Sequence, residues 1–183
     1  MLAKTKSVAG NKSDHQNLAG SILKSRIEKK VWIKASAEVV YKALTDPKEL
    51  ARWFCDRASC DARKGGELVA CWSSGKSNQK GRAVFTRIVP NSELELLWVD
   101  DGGGLGSDPP KHTLSYKIGI KAGMTEVVMV DVDDSILDEE TRSFLDEGWN
   151  TVLLELRDYC ERKERSARIR PRPKSRVQEV PSE

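Results

Sequence analysis

Paired cysteines, clustered histidines and long apolar runs are all missing from this chain of 183 residues. Cys55, Cys60, Cys71 and Cys160 form no CxxC pair, and His15 and His112 stand far from them. Zinc needs clustered soft ligands at short spacing, so no metal site and no cofactor are expected. Free thiols in a reducing cytoplasm are the reading that remains. No apolar run approaches the ~20 residues that a membrane span requires. Met1 to Leu23 lacks the apolar stretch of a secretory signal, and it lacks the arginines of a transit peptide. Rich in Lys, Ser, Asn and Gly, residues 1–24 are expected to be disordered.

A strong charge of one sign is missing too. The formal net charge is +3, and it sits at the ends. Residues 1–25 and 161–183 are both basic, which leaves the middle mildly acidic. A basic groove built into the body, as a nucleic-acid reader needs, is therefore not indicated. The last segment, 164–183, alternates Arg and Pro at Arg170-Pro171-Arg172-Pro173. Such a sequence holds no helix, so an extended, solvated tail is expected. It offers phosphate-type contacts to a nucleic acid or an acidic partner, without an aromatic for base stacking.

What is present is a clear order of elements. Ile27, Val31 and Ile33 approximate the two-residue period of a half-buried strand. Ser36 is a good helix cap, with Glu38 in the first turn behind it. Asp46-Pro47 ends that helix and starts a second, short one that carries Leu50, Trp53 and Phe54. Strand-like runs follow at Glu67–Trp72, Gly81–Val89, Glu93–Trp98, His112–Ile118 and Thr125–Val132. Leu94, Leu96 and Trp98 share one face, as do Leu114, Tyr116 and Ile118. Short turns between most of these runs indicate antiparallel pairing, and a Gly-rich loop spans Asp100 to Pro110. From about Asp138 to Arg162 the period becomes helical, through Phe144, Leu145, Trp149, Val152, Leu153, Leu156, Tyr159 and Cys160. The composition and order predict one α+β domain over residues 25–163, an antiparallel sheet with a long C-terminal helix.

Several motifs in this order carry a resemblance. The stretch from Ile27 to Asp46 resembles the opening of the SRPBCC superfamily, also called START-like or helix-grip. Asp46-Pro47 with Arg52-Trp53-Phe54 is similar to the branch named for the activator of the heat-shock-protein-ninety ATPase. Gly65-Gly66 before a strand, Gly81 opening the next, and Gly148-Trp149 in the long helix match as well. The resemblance implies a curved sheet that grips the long helix, with a cavity between them. It also implies a choice of functions: lipid and hormone binding, polyketide cyclisation, antibiotic resistance, or a co-chaperone role in stress response. The long Gly-rich loop and the basic tails are additions to the family pattern.

The rings available for such a cavity are Trp53, Trp72, Phe85, Trp98, Tyr116 and Trp149, with Leu153 beside them. Tryptophan and tyrosine give apolar walls with one hydrogen-bonding end each, which suits a small hydrophobic or planar ligand. The bland alternative is that these rings fill the core. Strand parity near Phe85 is ambiguous. Among polar groups, His112 is readable as a proton acceptor at a pocket mouth or as an exposed strand-end histidine, and the second reading is preferred. Cys71 lies opposite Trp72 by parity and is not expected to act as a nucleophile. Asp131, Asp133 and Asp134 lack the spacing of a calcium loop, so they are expected to form a solvated turn before the helix. Three functions follow: a small-ligand binder, a module for a chaperone partner, or a cyclase- or hydrolase-like enzyme using His112 or a tyrosine. The first is favoured, and no catalytic residue is assigned.

Overall fold

The computed structural model describes residues 25–74, 77–101, 112–133 and 137–169. The segment 1–24, most of the Gly-rich loop, Asp134 and the Arg-Pro tail lie outside the described residues.

Strand β1 (Ser25–Ile33) leads to two short helices whose starts follow from their caps. The Ser36 hydroxyl accepts from the Val39 N–H at 3.3 Å and caps α1 (Ala37–Thr45). Asp46 closes α1 and opens α2 (Pro47–Trp53), its carboxylate accepting from the Lys48 N–H at 2.8 Å. Pro47 occupies the first helical position, where its missing N–H costs nothing.

Six more strands follow: β2 (Arg57–Cys60), β3 (Glu67–Ser74), β4 (Ser77–Val89), β5 (Glu93–Asp101), β6 (His112–Lys121) and β7 (Met124–Asp133). They form one antiparallel sheet in the order β1-β7-β6-β5-β4-β3-β2. Strand β2 is not anticipated by the sequence reading. Its four residues, Arg-Ala-Ser-Cys, carry no apolar alternation, and pairing with β3 alone holds them at the sheet edge. Register shifts between Arg82/Ala83 and Phe85/Arg87 mark one irregularity at Val99 of β5 and one at Thr86 of β4, and bulges bend a sheet. The second one also settles the parity of Phe85, which points inward and is fully buried opposite Leu96.

Helix α3 (Glu139–Ile169) starts on Asp138, whose carboxylate accepts from the Thr141 N–H at 2.7 Å. Its 31 residues span about 46 Å at ~1.5 Å per residue. It runs past the expected end at Arg162, and polar pairs explain why. Arg165 pairs with Glu161 at 3.8 Å and Arg168 with Glu164 at 3.3 Å, one helical turn apart. The backbone N–H groups of Lys34 and Ser36 also donate to Glu161 and Glu164, at 3.0 and 3.3 Å. The inner face of α3 buries Leu153, Leu156, Tyr159 and Cys160, and the helix packs against β1, α1 and α2. The result is an α+β helix-grip fold, with a core of Ile33, Val40, Phe85, Leu94, Met129 and Leu156.

The β6–β7 hairpin turns on Ala122 and Gly123, with φ of +52° and +75°. Two successive left-handed residues suit Asn-Gly, and alanine is strained in the first place. Ala122→Asn is therefore expected to raise the unfolding free energy by about 0.5–1 kcal/mol. Urea unfolding of the two proteins checks this, and an equal or lower midpoint for the variant argues against that backbone conformation.

Candidate ligand site

The alternation in β5 and β6 sends Leu94, Leu96, Trp98, Leu114 and Tyr116 to the concave face of the sheet. Leu68 of β3 joins them from below. Leu44 of α1, Leu50 and Trp53 of α2, and Phe54 at the C-cap of α2 lie over them, and together these ten side chains line a small, partly open pocket of about 30 Å³. That exceeds the ~10–15 Å³ needed to hold one water and falls far short of a drug-sized ligand site. The walls are apolar apart from the indole and phenol ends.

Rings run along the α2 side of this cavity. Phe54 meets Trp53 at 5.4 Å and Trp72 edge-on at 5.3 Å, between ring centroids, and Trp53 lies 6.5 Å from Tyr159. Two indoles are pinned by their N–H groups. Trp53 donates to the Ala43 carbonyl at 2.9 Å, and Trp72 to the Phe54 carbonyl at 2.7 Å.

The expected site residues thus divide. Trp53, Trp98 and Tyr116 line the cavity. Trp72 supports Phe54 from outside it. Phe85 and Leu153 are packed in the core. Trp149 reaches the concave face from α3 by a polar contact, its Nε1–H donating to Asp131 at 2.8 Å.

That contact belongs to a cluster the sequence reading misplaces. Asp131 does not lie in a solvated turn. Strand β7 continues to Asp133 because Ser25 of β1 and His112 of β6 both pair with it. Asp131 consequently falls on the inner face with Val127 and Met129 and is buried. His112 is not an exposed strand end either. Its Nδ1 lies 2.7 Å from the Asp131 carboxylate, and its ring stacks on Trp98 at 6.0 Å and 14°. Trp98 and Trp149 are therefore joined on one side of the sheet through His112 and Asp131. Tyr116 is buried beside them, and desolvation, then the Asp131 charge, pushes its phenol pKa up, so it stays protonated. One signal in the sequence marks Asp131: it continues the Thr125-Val127-Met129 alternation.

A second buried carboxylate, Glu49 of α2, was also missed. It pairs with Lys163, accepts from the Tyr159 hydroxyl, and meets Arg52 at 3.3 Å. Burial acts to raise its pKa, but Lys163, Tyr159 and Arg52 outweigh burial and hold it below the usual value of 4.5. A depressed carboxyl stabilises the fold fully above its unfolded pKa, and that contribution is lost as pH falls through the folded value. Glu49→Gln is thus expected to lower stability by about 1–3 kcal/mol at pH 7. The difference from wild type should shrink below pH ~4.5. Guanidinium unfolding from pH 7 to pH 3 measures it, and a penalty constant over that range contradicts the assignment. Thiol chemistry is not favoured here. Burial pushes Cys60 up to about 11 and Cys160 up to about 12, and it raises Cys55 as well.

Among the described residues no helix is long and apolar enough to cross a membrane. Solved structures of similar fold include CalU16 from Micromonospora echinospora, at 20% identity and TM-score 0.57 over 78% of this chain and 80% of that one. DynU16, a protein of the dynemicin biosynthetic locus, matches at 21% identity and TM-score 0.63, over 76% of this chain and 48% of that one. The Aha1 dimer from Colwellia psychrerythraea matches at 19% identity and TM-score 0.59, over 75% and 96% of the two chains. No curated protein sequence matches significantly. Residues 34–161 match the family described as "Activator of Hsp90 ATPase homolog 1-like protein". That span holds both short helices, the whole cavity wall and the polar cluster, and the chain belongs to this family of the SRPBCC superfamily.

Proposed function

We propose that the chain binds a small aromatic or apolar molecule between α2 and the concave face of the sheet, in the cytoplasm. One observation carries this reading. The Trp98 Nε1–H is buried and has no hydrogen-bond partner among the described residues. An unpaired buried donor costs about 1–3 kcal/mol, and such a group in a native fold calls for an explanation. Trp98 lines the apolar pocket, and its unpaired N–H is read as a donor kept for an acceptor on a ligand that enters as the pocket expands. A lone water is a poor occupant, because it needs two to four polar partners and these walls are mostly apolar. At about 30 Å³ the space admits a ligand only by expansion. Trp53 and Phe54 are half-buried at the last residue and C-cap of a helix of seven residues, and are the parts placed to move outward. The setting of DynU16 in a biosynthetic locus agrees with a small-molecule role.

Tryptophan fluorescence titrated with a panel of lipids, flavonoids and polyketides tests the reading. Saturable quenching by at least one class is expected, weakened about fivefold or more in Trp98→Phe, which lacks the donor. Silence across the whole panel would sink it. The family description favours a second reading, an interaction with an Hsp90-type chaperone. Pulldown and ATPase stimulation with that chaperone decide it.

A further inference from the structure

His112 occupies an unusual position for a histidine that no family motif marks. It stands on the same face of β6 as the cavity residues Leu114 and Tyr116, and its ring covers Trp98. Its Nδ1 faces one oxygen of the buried Asp131, whose other oxygen accepts from the Trp149 indole. Indole nitrogen only donates and carboxylate only accepts, so Asp131 is an acceptor at both oxygens. The imidazole therefore carries its proton on Nδ1, held by the carboxylate as in other histidine–carboxylate pairs. In the neutral ring Nε2 is then a bare lone pair, able to accept. The indole stacked against it, that of Trp98, carries an unpaired N–H. One stacked pair of rings thus carries an acceptor and a donor, and its Trp98 member lines the apolar pocket.

We propose that His112 is a ligand-contacting residue that reads a hydroxyl, and that the ligand is a planar molecule carrying a phenolic or enolic OH together with an acceptor such as a carbonyl. Nε2 accepts from the hydroxyl, Trp98 Nε1 donates to the acceptor, and Asp131 positions the imidazole from behind. The proposal rests on the cavity being a ligand site, and it adds which chemistry the site selects. A site built to hydrogen-bond a hydroxyl rejects the analogue that lacks it, because its own polar groups are then left unpaired.

The test compares 1-naphthol with naphthalene, two probes of nearly equal shape, by isothermal titration or indole fluorescence. Wild-type protein is expected to prefer 1-naphthol by roughly five- to tenfold. His112→Ala is expected to abolish the preference. His112→Gln, whose amide oxygen can still accept, is expected to restore part of it. Nitrogen-15 spectra of the free protein should show His112 as the Nδ1–H tautomer, with the Nε2 signal shifting when 1-naphthol is added. Equal affinity for the two probes, or an Nε2–H tautomer in the folded protein, overturns the proposal and leaves the ligand cavity standing. Binding of neither probe, with no quenching by the lipid, flavonoid and polyketide panel, overturns the cavity reading itself. If His112→Ala fails to fold, the wild-type preference and the tautomer still decide the matter.

Discussion

Replacing Asp131 by alanine is expected to lower the unfolding free energy by about 3 kcal/mol, making it one of the most damaging single substitutions on the concave face. Asp131 is the acceptor for two donors from separate elements, His112 on β6 and Trp149 on α3. Removing it leaves both N–H groups in partly buried surroundings with no acceptor. Each such loss costs about 1–3 kcal/mol, and relief of the carboxylate's own desolvation offsets part of the sum. Asp131→Asn should cost less, since its amide oxygen still accepts from one of the two. Urea unfolding gives the magnitude. A double-mutant cycle with Trp149→Phe isolates the pair, with a coupling of about 1 kcal/mol expected. Hydrogen exchange should quicken in the turns of α3 around Trp149 while the β4–β5 amides stay protected. Zero coupling, or uniform loss of protection, contradicts the geometry.

Gly81→Ala is the second large effect. A Cβ at Gly81 would stand 2.7 Å from Trp98 Cζ3, 3.2 Å from Trp72 Cζ3 and 3.4 Å from the Asp100 carbonyl oxygen. A contact at 2.7 Å requires the indole to shift. The Trp98 ring has His112 stacked on it and is buried in the core, so its shift disturbs the cavity wall too. Overpacking of this kind costs about 1–3 kcal/mol, and the rigidity of the indole puts this case near the top of that range. Gly119→Ala is the control. Nothing lies within 4 Å of a Cβ there, and that change is expected within about 0.5 kcal/mol of wild type. Equal midpoints for the two variants in thermal or urea unfolding would place Trp98 elsewhere.

These two cases show which parts of the molecule were legible in the sequence. The caps Ser36 and Asp46 act through neighbours within three residues, so α1 and α2 were readable locally. Strands β5 and β6 were readable because one of their faces is covered and the other is not, which imposes alternation on Leu94, Leu96 and Trp98. Strand β7 is apolar on both faces, with Val128, Val130 and Val132 opposite Val127 and Met129. Parity then carries little signal, and Asp131 passed for part of a surface turn. The partners of the buried polar groups are remote: Asp131 is 19 residues from His112, and Tyr159 is 110 from Glu49. Only the strand register and the helix docking bring them together. Phe85 was ambiguous for a related reason, since a bulge breaks the two-residue period. Glu49 looks like any exposed helix glutamate until α3 lays Lys163 and Tyr159 over it.

The indole proton of Trp98 reports on the ligand site more directly than any stability change. With the tryptophan side chains labelled with nitrogen-15, its resonance can be followed while a quenching ligand from the panel is added. In the free protein this N–H, having no acceptor, is expected upfield of the Trp53 and Trp72 signals, both of which donate to carbonyls. On saturation it should move downfield and exchange more slowly, as a new hydrogen bond forms. A ligand that binds and shifts the other indoles while leaving Trp98 unchanged would contradict a site built on this donor.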